Sequence, residues 1–532
     1  MKKLTLTVAI LLTGTYIFAQ SNSSNISQQN NHNNGNVTQT GVSHISKITQ
    51  ISNAGAANQS NDATVIQSNA SGAGTNNSDI QQNGNRHDAT VTETGSQNKS
   101  VVTQTGRDQD ATILQVGTSN DSKSMQVGRE NDASVDQDGS GNISDVDQAD
   151  RGNNAEVEQD GTSNNSAVTQ YGGGTLLSTP GSDAFVIQNG AGNNSTVDQK
   201  GTALGGNYAD VNQDGTSNIS KVDQDGFANE AEVEQDGAGN NSTVDQEDNS
   251  NYANVNQNGT SNTSVVNQDD NLNDADITQA GNGNSSTVNQ SGAILFGNDT
   301  DVWQQGDGNI SNVLQDGRRN DADVYQLGNG NNSGVTQNDN LNVADIDQIG
   351  NGNTSTVDQD GHTLSGNWAK VLQQGASNTS SVDQDGRNIG YITQIGNGNT
   401  SSLTQNGDDN WAKLLQSGNS NTFTVTQTGD DNKVTGIPSG VVGDINGAAQ
   451  TGNGNTGTIT QNGDDLLSQS WQNGNSNQMT VSQAGFEQES IVLQTGNSNI
   501  ANLIQTGNGH LSTITQTGNQ NSGIVTQHNV MP

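Results

Sequence analysis

Histidines and carboxylates are the residue types in this sequence best suited to chemistry, and their spacing decides whether they do any. His32, His44, His87, His362, His510 and His528 are scattered, with none of the short intervals that bring two imidazoles to one metal ion. The chain has no cysteine, which excludes thiolate metal sites, disulfides and a cysteine nucleophile. Carboxylates come in pairs that flank a glutamine, as Asp223 with Asp225 or Asp383 with Asp385, and such pairs recur along the chain instead of gathering at one place. That regularity describes a solvated, solubilising face and no catalytic dyad, so no enzyme activity is expected. Calcium bridging between stacked carboxylates is the one ion chemistry they offer. The Gly-Gly-x-Gly-x-Asp nonapeptide of calcium-binding β-rolls is absent, so no built-in cofactor is expected. Tyr208, Tyr252, Trp368 and Trp411 each stand between an Asn and an Ala of a recurring pattern, which puts them in one outward column. Exposed aromatic rings in a column could grip polysaccharide or another fibre.

The elements that position these residues have to be built without an ordinary core. Of 532 residues only 27% are hydrophobic and 3% aromatic, against ~45–50% apolar in typical globular chains. The formal net charge of -39 repels nucleic acid and anionic membrane surfaces. Low hydropathy with high charge would by itself give disorder. Periodicity overturns that reading.

Glutamines recur every eleven residues, as in Gln213, Gln224, Gln235, Gln246 and Gln257. Each unit reads Asn-x-(Ser/Ala)-x-Val-x-Gln-x-Gly-x-x, as in Asn218, Ser220, Val222, Gln224, Gly226 and then Asn229, Ala231, Val233, Gln235, Gly237. The fixed positions share one parity, the signature of a strand that sends alternate side chains into one interior. Gly-x-x supplies the turn. Ser and Ala alternate at the third position over long stretches, so the full unit is two strands and 22 residues. The expected fold is all-β: a two-sheet β-solenoid of stacked strand-turn-strand coils, with identical residues in register and a cross-β, amyloid-like character.

Irregularities refine this. The steps Gln199 to Gln213, Gln290 to Gln304 and Gln359 to Gln373 are 14 residues, and Gln170 to Gln188 is 18. All precede an Ala-type or equivalent strand, so the extra residues should lie on one edge of the stack. Between Gln427 and Gln450, the series Asn432, Val434, Gly436, Pro438, Gly440 keeps the parity with Pro in the glutamine slot. This predicts a degenerate coil near 428–449, counted as a strand of its own and weakened because Pro donates no ladder hydrogen bond. On that count the alternation resumes beyond it, where Ser468, Ser490 and Ser512 flank Ala501.

Residues 1–19 carry Lys2 and Lys3, an apolar stretch to Phe18 and small Ala19, the pattern of a secretory leader cleaved after Ala19. Residues 20–34 are polar apart from Ile26 and read as a disordered arm, with the solenoid running from 35 to 532. The mature chain is expected outside the cell, as a secreted, cell-surface or pilus-like fibre, with no membrane span.

One coil offers about two Val or Ile side chains to the interior, worth ~1.5–3 kcal/mol each, against ~1–2 kcal/mol of backbone entropy per ordered residue. No coil can fold alone. Backbone hydrogen bonds between coils and columns of Gln and Asn amides must supply the rest, because an amide both donates and accepts and a column of identical Gln satisfies itself.

The spacing Gln224-x-Gly226-x-x-Asn229-x-Ala231-x-x-x-Gln235 resembles the repeat of curlin proteins, the subunits of curli, secreted functional amyloid fibres of bacterial biofilms. The family's repeat opens with Ser six residues before the first Gln; here Asn218 holds that place and Ser220 follows two later. The resemblance implies a secreted structural protein that assembles with itself end to end into fibres for biofilm matrix and adhesion. It further implies other curlin-like subunits and an outer-membrane secretion pore as partners. A monomeric rod-like adhesin is the alternative. An ice-binding solenoid would need a contiguous Thr-x-Thr array, whereas pairs such as Thr103 and Thr105 or Thr426 and Thr428 stand in separated coils. A polysaccharide-degrading β-helix would need irregular coils converging on a cleft, against the regularity found.

Overall fold

The computed structural model describes residues 21–30, 32–52, 60–69, 74–172, 181–292, 296–362, 365–436 and 447–529. Their secondary structure is β-strand throughout, wound into a parallel β-solenoid of about 21 turns. Each strand pairs in parallel with the strand one full coil away, like with like: Ser220 sits beside Ser195 and Ser242, and Gln224 beside Gln199 and Gln246. Two sheets result, facing each other. The first starts at Ser23–Gln29, which pairs with Ile45–Ile51, and the second at Asn34–Thr40, which pairs with Asp62–Ser68.

The parity expected from sequence matches the interior. Asn218, Ser220, Val222, Gln224, Asn229, Ala231, Val233 and Gln235 are all buried, with Val233 2% exposed, whereas Glu234 faces solvent. The hydrophobic core is a thin line of Val, Ile, Leu and Ala running the length of the stack. Gly237 turns the chain at φ 115°, and a Cβ there would lie 2.0 Å from the carbonyl oxygen of Gly259 in the next coil. Close stacking of the turns, as well as positive φ, therefore demands glycine.

The four long turns named from sequence all cross from the first sheet to the second. Inside two of them a short antiparallel bridge closes the excursion, Thr202 with Gly205 and His362 with Ser365. Register survives the insertions: Gln199 donates to Gln224 at 2.8 Å across 25 residues and Gln170 to Gln199 at 2.9 Å across 29. Gln67 to Gln82, a longer step from the second sheet back to the first, adds extra residues on the opposite edge.

Three expectations are corrected. Within residues 20–34, expected as a disordered arm, Ser23–Gln29 is a strand of the stack. Asn22, Ser24, Ile26 and Gln28 already spell the repeat; Ser24, Ile26 and Gln28 lie in register with Ser46, Ile48 and Gln50. Among the described residues near 428–449 no separate strand forms. Lys433–Thr435 and Ala448–Thr451 are two halves of one strand, and Gln450, not Pro438, fills the glutamine slot between Gln416 and Gln472. Pro438 and Gly440 lie outside the described residues, as does the leader 1–19. With one strand fewer than expected, Ser and Ala exchange sheets beyond this point: Ser468, Ser490 and Ser512 continue the second sheet, while Met479 and Ala501 continue the first. Phe423, fully buried at the exchange, fills space left by Gly457, whose Cβ would meet its ring at 3.1 Å.

Candidate functional site: amide ladders, outer faces and stack ends

The repeat builds columns, and the columns carry the chemistry. Along the glutamine columns Nε2 donates to the Oε1 of the Gln one coil further on, as Gln224 to Gln246 and Gln235 to Gln257, both at 2.8 Å. The same nitrogen donates to a backbone carbonyl of the facing sheet, Gln224 to Tyr208 and Gln235 to Ile219, both at 2.9 Å. Asn columns run beside the turns, where the Oδ1 of Asn229 accepts from the backbone N–H of Asn251 at 3.0 Å. Amides that would be costly to bury singly are satisfied as a series. Many serine hydroxyls of the first sheet, Ser220 and Ser242 among them, lack a partner. A rung spacing of ~4.8 Å is too long for hydroxyls that point alike to reach one another.

One rung departs from this chemistry. Glu93 occupies a glutamine slot between Gln67 and Gln115 and is 0% exposed. It accepts from Gln67 Nε2 and Ser100 Oγ, each at 2.7 Å. Burial pushes its carboxyl up to about 7, against a pull downwards from those two donors. The eleven-residue count from Gln82 to Gln104 passes through it, so the substitution was visible in the sequence and was missed.

On the outer face of the second sheet carboxylates stack in two columns, Asp274–Asp299–Asp321 and Asp276–Asp301–Asp323–Asp345. Partial burial, reinforced by neighbouring carboxylates, pushes Asp274 and Asp323 up to about 6. On the first sheet Lys99 pairs with Asp121 and Lys123 with Asp145, both at 2.9 Å. Exposed pairs of this kind contribute roughly 0–1 kcal/mol each. Among the described residues no group of three or more His, Asp or Glu side chains could hold a metal ion.

The aromatic residues singled out from sequence do share a column of the second sheet, half-buried, but they do not touch each other there. Glu230 separates Tyr208 from Tyr252, and Ile389 separates Trp368 from Trp411. Burial together with adjacent carboxylates pushes the Tyr252 hydroxyl up to about 12. Contacts form diagonally with aromatics of other columns. Tyr391 lies 4.6 Å from Trp368, edge to face, and 6.1 Å from Trp411; Trp303 and Tyr325, by contrast, are register neighbours in a single column and stack at 4.4 Å. Sequence reasoning missed Tyr391, Trp303 and Tyr325, because their adjacency depends on register between coils.

At both ends of the described stack the columns stop half-made. Ser23–Gln29 and Ser522–His528 each have a strand neighbour on one side only among the described residues. No helix among the described residues is long and apolar enough to cross a membrane.

A family model for the curlin associated repeat matches residues 106–139, 221–247, 297–328, 396–429 and 474–507. No curated protein matches the chain. Each matched segment contains rungs of the amide ladders, such as Gln115, Gln224, Gln304, Gln405 and Gln483. The chain thus carries five curlin associated repeats, spread along the solenoid.

Proposed function

We propose that this protein is a secreted structural component that assembles end to end into extracellular, curli-like amyloid fibres serving biofilm matrix and adhesion. The observation that carries the reading is the pair of unfinished end faces, each presenting unpaired strand edges and half-satisfied Gln columns. Such edges template further pairing. Repeat architecture and family suggest a structural rather than a catalytic protein. Residues 1–19 serve in this reading as an export leader, with an outer-membrane pore and other curlin-like subunits as partners in secretion and assembly. The alternative of a monomeric adhesin draws on one observation, the Trp368–Tyr391–Trp411 cluster on an outer face.

Charge sets the conditions. Residues 1–100 and 451–532 hold four acids each, of 56 in the chain, so the middle of the rod repels its neighbours sideways while the ends do not. Carboxyls raised from 3.8 to about 6 bind protons more tightly folded than unfolded. Their contribution is therefore full below the unfolded value and is lost as pH rises through about 6. Assembly rate and melting temperature should fall from pH 4 to pH 8, and calcium or high salt should restore them at pH 8 by screening the Asp columns. Dye binding and light scattering across that range, with and without calcium, make the test. A chain that stays monodisperse for days in every condition would turn the reading to the adhesin.

A further inference from the structure

The stack holds one more strand in its first sheet than in its second: the described chain enters on Ser23–Gln29 and leaves on Ser522–His528, both in the first sheet. A second copy continuing the winding must therefore place its Ser23–Gln29 on Leu511–Thr517 of the second sheet, then its Asn34–Thr40 on Ser522–His528. That placement is a rotation of 180° about the rod axis. Stacking without rotation would set Ser23–Gln29 on Ser522–His528 and leave one strand position of the second sheet empty.

The residues at the two ends fit the rotated placement. It sets Ser24 on Ser512, Ile26 on Ile514 and Gln28 on Gln516, and on the other sheet Gly35 on Gly523, Val37 on Val525 and Gln39 on Gln527. Both end coils use the same knob and hole. A Cβ on Gly35 would meet Ile26 at 3.0 Å, and a Cβ on Gly523 would meet Ile514 at 3.4 Å. Rotated, isoleucine continues on isoleucine and glycine on glycine. Unrotated, Ile26 would fall on Val525 and Ser24 on Gly523, with Gly35 facing Ser512 across the empty position. The match exists because Ser and Ala exchanged sheets beyond Phe423; without that exchange Ser512 would lie in the wrong sheet to receive Ser24.

Hydrogen-bond polarity fits as well. Gln28 and Gln39 donate up their columns to Gln50 and Gln67, which leaves their Oε1 atoms as acceptors on the first face. Gln516 and Gln527 already accept from Gln494 and Gln505, which leaves an N–H of each as donor on the last face. Apart from His528 the four end strands carry no titratable side chain, so stacking creates no column of like charge. We propose that the partner of each end face is a second copy of this chain, and that successive copies in the fibre are related by a half-turn about the rod axis. This rests on the end-to-end reading above and adds the register.

The chain contains no cysteine, so paired cysteines give a clean readout. In the rotated fibre Asn25 lies one rung, ~4.8 Å, from Thr513 of the next copy, whereas Ile524 lies on the opposite outer face, beyond two sheets ~10 Å apart. Fibres of Asn25→Cys/Thr513→Cys and of Asn25→Cys/Ile524→Cys, treated with a short bifunctional thiol reagent, are run under denaturing conditions. The first should lose its monomer band to a ladder of covalent oligomers, and the second should stay monomeric. The reverse result, or fibres that cross-link in neither variant, overturns the half-turn while leaving end-to-end assembly standing. Absence of fibres in the cysteine-free parent overturns both. Should the parent assemble and the variants not, helical reconstruction of the parent fibre decides, since unrotated neighbours there would equally overturn the half-turn.

Discussion

Glu93→Gln increases the protection of the amide hydrogens around Asp88–Ser96 at pH 8 by on the order of 100-fold and leaves protection at pH 4 unchanged. A glutamine there restores the donor that the column lacks. Gln115 Oε1 instead lies 2.8 Å from Ser100 Oγ, whose single proton it shares with Glu93, where other rungs take a full hydrogen bond from the Gln one coil below. The carboxyl is raised from 4.5 to about 7 by burial, so the folded state holds the proton more tightly than the unfolded state does. Its contribution is complete below the unfolded value of 4.5, declines as pH rises and is gone above about 7. The difference amounts to roughly 3 kcal/mol, a large share of what a few coils gain by stacking. Because each coil contacts only its neighbours, the effect should be local, opening the early coils while the rest stays closed. Hydrogen exchange of parent and variant at the two pH values reads this directly; equal protection at pH 8 would show that the ladder tolerates an ionised rung.

Val233→Asp should destabilise its coil by on the order of 3–5 kcal/mol, because it buries an unpaired carboxylate between Val211 and Val255. Glu234→Lys, one residue along, should change stability by less than about 0.5 kcal/mol, since that side chain is exposed and gives up only a surface contact with Asn256. Thermal melts of the two variants compare them under one condition. Equal effects would contradict the alternation on which the fold rests.

Period, parity and the like-with-like register of Gln224 with Gln246 could be read from the sequence, because a ladder stable only as a series forces its residues to repeat. What escaped reading did so for physical reasons. Ser23–Gln29 has little apolar content, and amide ladders with strand pairing need little of it, so hydropathy mislabelled a strand whose Asn, Ser and Gln spacing was intact. Pro438 matched the parity, but the strand is held by pairing with Leu414 and Gln416, and Ala448 and Gln450 make that pairing. Contacts such as Trp368 with Tyr391 lie between coils and on a diagonal, so no reading along one strand reveals them. Glu93 escapes a reading of the glutamine series that follows what repeats and not what breaks it.

The most direct measurement is electron microscopy with fibre diffraction of the purified chain lacking residues 1–19. The account predicts filaments many times longer than one rod of roughly 100 Å, with a ~4.8 Å reflection along the filament axis. Isolated rods of about that single length, unchanged with time and concentration, would contradict it.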